Sequence, residues 1–66
     1  MHMKLTRRTG GAIYVNMEHV ISYVEIDGTT YLKPVKGKEI QVREPAAHIH
    51  KEVSSGQIRG TQDENL

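Results

Sequence analysis

The sequence predicts a mainly β fold: a small sheet or half-closed barrel of about five short antiparallel strands, followed by one short C-terminal helix. Three observations lead there. Apolar residues recur at every second position through most of the stretch from Met3 to Arg43, the period of half-buried strands. Glycine turns, Gly10-Gly11, Asp27-Gly28 and Lys36-Gly37, break that stretch at short intervals. After Pro45 the period lengthens, and Ala46, Ile49, His50 and Val53 fall at the i, i+3, i+4, i+7 spacing of one helix face. The 66 residues form a single β-rich module over 1–53. Residues 54–66, "SSGQIRGTQDENL", are serine- and glycine-bearing with mixed charge and two apolar residues, the composition of a disordered tail.

The first strand runs from Met3 to Arg7, with Met3 and Leu5 on one side and Lys4 and Thr6 on the other. Gly10-Gly11 supplies the positive φ of a tight reversal, and Ala12 to Val15 returns with Ile13 and Val15 on one face. Asn16 is placed to cap a single helical turn over Met17, Glu18 and His19 through its side-chain oxygen. In "VISYVEI" that follows, Val20, Ser22, Val24 and Ile26 share one face, and Ile21 and Tyr23 share the other. A strand apolar on both sides is expected to be central or half covered by a partner subunit, and Ile21 and Tyr23 are the candidate oligomer or partner face. Asp27-Gly28 is a type I′ hairpin signal. Thr29 to Lys33 forms the next strand, ended by Pro34, which cannot donate to a ladder. "KEIQVR" is the last strand, with Ile40 and Val42 inward. Pro45 suits the first position of the helix, and two turns of helix need the sheet to persist.

A chain this short builds a thin core, and without cysteine it has neither a disulfide nor a thiolate metal site to reinforce it. A homo-oligomer is the expected remedy. The lack of cysteine and of any long apolar run points to a cytoplasmic protein with no membrane span. No catalytic constellation emerges. Glu18, Glu25, Asp27, Glu39, Glu44 and Glu52 are scattered, with no cysteine nucleophile and no oriented base for Ser54-Ser55. His48 and His50, two apart, point to different sides of a helix, so they and His19 form no metal site. The chain is expected to be no enzyme and to carry no cofactor.

The basic residues pose the open question, since a net charge of +1 is too small for nucleic-acid binding by overall charge. Lys4, Arg7 and Arg8 lie on and after the first strand, Lys33, Lys36 and Lys38 surround the Pro34–Gly37 turn, and Arg43 closes the last strand. If the first and last strands neighbour each other, these cations merge into one patch able to track phosphates; otherwise they are solvated strand ends that discourage edge-to-edge aggregation.

"MKLTRRTGGAIYVN", "HVISYVE" and "TTYLKPVKGKEIQVREPAAHIHKEV" together resemble the small FlbD/SwrD-type flagellar and swarming motility proteins. That family reads as an "IKLTR-x-NG" opening, an asparagine closing the second strand, an "I-x-x-I-E" strand, a threonine-rich strand, "NGK-x-x-x-V-x-E" and a short helix. Leu5, Thr6, Arg7, Gly10, Asn16, Ile21, Glu25, Thr30, Leu32, Gly37, Lys38, Val42 and Glu44 stand at corresponding places or within one residue of them. Thr9 departs from the family's asparagine, Val35-Lys36-Gly37 from its threonine-asparagine-glycine turn, and "DGTT" from its "PDT". The resemblance covers about Met3 to Val53 and implies a non-enzymatic accessory protein acting through protein contacts.

"LTRRTGG" and "KEIQVRE" also resemble the opening and closing strands of the CsrA translational regulators, although the "GI-x-AP" approach and "VHRE" histidine of that family are missing. This second resemblance implies RNA binding through Lys4, Arg7, Arg8 and Arg43. Because the central strand with Asn16 and Glu25 fits the motility family, the protein-contact reading ranks first and RNA binding is the alternative.

Overall fold

Positive φ at Gly10 and Gly11, +108° and +91°, reverses the chain between β1 (His2–Thr6) and β2 (Ala12–Asn16). In the computed structural model, which describes the backbone of residues 1–65 and the side chains of residues 1–55, the two strands pair antiparallel with Met3 opposite Val15 and Leu5 opposite Ile13. The Asn16 side chain accepts a hydrogen bond from the Glu18 N–H at 3.1 Å and so caps the 3-10 turn Met17–His19. That turn swings the chain into a second sheet of order β3-β4-β5, made of β3 (Val20–Ile26), β4 (Thr29–Pro34) and β5 (Ile40–Val42). Asp27 (φ +50°) and Gly28 (φ +82°) form the type I′ connection between β3 and β4. The helix α1 (Ala46–Asn65) opens on Pro45, whose carbonyl accepts from the His48 and Ile49 N–H groups at 3.0 and 3.2 Å.

The fold is mainly β, as the alternation predicts: five antiparallel strands in two sheets and one helix. The sheets do not close into a barrel. They meet where β1 runs past its own ladder. Arg7 forms an isolated bridge with Val42, flanked by hydrogen bonds from Arg8 N–H to the Gln41 carbonyl (3.0 Å) and from Arg43 N–H to the Thr6 carbonyl (2.8 Å). The first and last strands are therefore neighbours. Inside lie Met3, Leu5, Val15, Leu32, Val42 and Ile49, all buried, with Ile13, Met17, Val20, Tyr23, Ile40 and Val53 packed around them.

Two expectations for β3 are corrected. It is an edge strand, not a central one. Its alternation is also interrupted, because the register with β4 shifts between Val20 and Ser22 and leaves Ile21 as the extra residue. Val20 and Tyr23 consequently both pack on the core, while Ile21, Val24 and Ile26 are 62%, 53% and 53% exposed. A sequence pattern of strict period two cannot register such an insertion. The disordered tail expected over residues 54–66 lies, from Gly56 onward, outside the residues whose side chains are described.

The seam between the sheets is closed by polar side chains. Glu44, just after β5, accepts from the Thr6 N–H and the Thr6 hydroxyl, each at 2.9 Å. Its own carbonyl accepts from the hydroxyl of fully buried Thr30 at 2.6 Å. Burial acts to raise the Glu44 pKa, but the Thr6 backbone and hydroxyl bonds, helped by its own backbone and by His48, prevail and hold it below the usual carboxylate value. A carboxyl whose pKa is lowered by folding stabilises the fold fully above its unfolded pKa and loses that contribution as pH falls through the folded one. Glu44→Ala is expected to cost about 2 kcal/mol near neutral pH, and the gap between the melting curves of the two proteins should begin to narrow as pH falls below about 4, the ordinary carboxylate value, and close only below the lower folded pKa of Glu44.

Candidate functional site

Two surfaces have the character of contact sites. The first follows from the Arg7–Val42 bridge, which brings residues distant in sequence to one rim. Arg8 and Arg43 are both fixed through Nε: Arg8 donates to the Gln41 side-chain oxygen at 2.8 Å and Arg43 to the Arg8 carbonyl at 3.1 Å. A Cβ built on Gly10 would stand 3.9 Å from Arg43 Nη2, so the Arg43 guanidinium lies against the β1–β2 turn. An open groove of about 410 Å³ lies here, lined by Arg7, Arg8, Thr9, Lys38, Glu39, Ile40 and Gln41. Among the described residues the one ion pair joins the Met1 amino group to Glu18 at 3.3 Å, so no rim cation is neutralised by a carboxylate contact.

Of the four cations singled out from the sequence, the structure brings Arg7, Arg8 and Arg43 to this junction, with Arg7 and Arg8 lining the groove and Arg43 and Lys4 outside its lining. Lys4 sits opposite Tyr14 in the β1–β2 ladder, and Tyr14 is 67% exposed. Lys38 joins the rim in its place. The sequence assigned Lys38 to a turn cluster with Lys33 and Lys36, and only the path of the chain from that turn into β5 separates them. Lys36 lines a different, smaller groove between β2 and the Val20–Pro34 end of the second sheet.

The second surface is the outer side of the β3–β4 hairpin with its free edge. Cross-strand partners share a face, so Val24 lies beside Tyr31 and Ile26 beside Thr29. Ile21 and Tyr23, the expected contact pair, fall in different settings: Ile21 is exposed at the register shift, and Tyr23 is half-buried with its hydroxyl 3.3 Å from His50 Nδ1. The opposite His50 nitrogen lies 3.4 Å from the Ser54 hydroxyl. His50 thus ties α1 to β3, a role invisible in the sequence because its partner is 27 residues away.

Glu25 does similar work. Its carboxylate accepts from the Ala46 N–H at 2.9 Å, satisfying one of the unpaired donors at the start of α1. No family model, curated protein or solved structure matches the chain. The site therefore has to be read from its own geometry. Among the described residues no group of three His, Asp or Glu side chains is placed to hold a metal ion, and no helix is long and apolar enough to cross a membrane. Glu25→Ala is expected to lower stability by about 1 kcal/mol by uncapping α1, seen as loss of helical circular dichroism on heating before the β signal changes.

Proposed function

We propose that this chain is a small, non-enzymatic, cytoplasmic binding module that works through protein contacts made by the β3 edge and its outer face. The observation that carries this reading is the exposure of Ile21, Val24 and Ile26 by more than half on an edge strand. Apolar side chains on an unpaired edge are costly to leave bare, and strand addition by a protein partner covers them while pairing the open backbone. The resemblance to the motility proteins supports an accessory role in flagellar or swarming motility. Val24→Lys places a charge in the middle of that face without touching the core. Proteins that co-purify with the native chain from its source cell are expected to be lost with this variant, its melting temperature being unchanged; recovery of the same set with both would overturn the reading.

A second reading is RNA binding at the rim, and the observation favouring it is the Arg7–Val42 bridge, which gathers Arg7, Arg8, Lys38 and Arg43 with no ion pair to a carboxylate among the described residues. Neutralising about four phosphates of a single strand would give a slope near −3 in log affinity against log salt. Arg43→Ala is expected to weaken binding of short single-stranded RNA and flatten that slope by about 1; an unchanged isotherm removes this reading.

A further inference from the structure

We propose that the partner of the β3 edge is a second copy of the same chain, paired antiparallel through β3 about a two-fold axis at Val24. This rests on the protein-contact reading and names the partner it leaves open.

The backbone sets the register. In a two-residue hairpin the residues flanking the turn, here Ile26 and Thr29, form a hydrogen-bonded pair. Alternation then turns the N–H and C=O groups of Val24 and Ser22 toward β4 and those of Tyr23 and Glu25 toward the open edge. The irregularity at Ile21 ends the regular stretch on one side and the Asp27-Gly28 turn ends it on the other, leaving Ser22–Ile26 available. A two-fold axis at Val24 overlaps all five residues and pairs the free groups of Tyr23 with those of Glu25 in the second copy. An axis displaced by half a residue sets hydrogen-bonding residues against non-bonding ones, and one displaced by a whole residue, to Tyr23 or Glu25, overlaps only three of the five.

Charge and composition agree with that register. Ser22–Ile26 contains no lysine and no proline, the devices that protect an edge from its own kind. Its one charged residue, Glu25, is engaged with the Ala46 N–H and falls opposite Tyr23 of the second copy, not opposite another Glu25. On the outer face Val24 meets Val24 and Ile26 lies beside Ser22, with Tyr31 alongside. A self-complementary patch of this kind closes as a dimer and leaves no free β3 edge to propagate.

The absence of cysteine from the chain makes cross-linking a clean test. Val24 on the axis forms a non-hydrogen-bonded pair with Cα atoms about 4.5 Å apart, inside the disulfide range of about 4.4–6.8 Å. Under mild oxidation Val24→Cys is expected to give a covalent dimer, Ser22→Cys and Ile26→Cys alone to stay largely single chains, and the two mixed to give a 22–26 dimer; light scattering on the native chain should give twice the chain mass. Equal cross-linking at all three positions, or a native chain of single mass at its highest soluble concentration, overturns the inference. A single-mass native chain that still loses a co-purifying protein on Val24→Lys overturns the second copy alone, whereas a dimer that survives Val24→Lys overturns this inference and shows a contact elsewhere.

Discussion

The fold depends on the junction between β1 and the segment around β5. Neither sheet could persist alone: one is a two-stranded hairpin, and the other has a three-residue last strand. The Arg7–Val42 bridge joins their backbones, and Glu44 fastens the joint by taking two hydrogen bonds from Thr6 while its carbonyl holds Thr30. Leu5, Leu32 and Val42 are then sealed beneath that joint with Ile49 of the helix. The same junction creates the cationic rim, since it places the residues after β1 beside those flanking β5. Packing and surface chemistry thus have one cause.

Much of this architecture is legible in the sequence because it is local. Asn16 capping its turn, Asp27-Gly28 adopting positive φ, Pro34 ending a strand and Pro45 opening a helix are decisions made within a few residues. The reading fails where distant residues decide. Nothing near Glu44 announces Thr6, nothing near Glu25 announces Ala46, and a carboxylate that the sequence leaves as one of a scattered set is a structural acceptor in both cases. β3 shows the limit most clearly. Its apolar count is right, but the inserted Ile21 changes which residues face inward, and a residue on two faces in the sequence is a residue in one place in the fold.

The candidate surfaces follow the same division. Arg7, Arg8 and Arg43 could be named from the sequence, but their meeting was conditional on strand order, and Lys38 replaces Lys4 only because of the route the chain takes into β5. Of the two residues named for contact on β3, Ile21 is exposed, whereas Tyr23 is half absorbed by the core and by His50. Exposed Val24 and Ile26 belong to the face the alternation had paired with Val20.

The position of Glu44 late in the chain also bears on the order in which the molecule assembles. The β3-β4-β5 meander is built from pairings close in sequence, whereas β1 must wait for partners 35 to 38 residues away, as its bonds from Arg43 and to Glu44 require. Contacts that close long loops form late because their entropy is lost before they are rewarded. During synthesis the first hairpin emerges first and docks last, held open until Glu44 appears. Until that junction closes, Met3 and Leu5 lack the cover of Leu32, Val42 and Ile49.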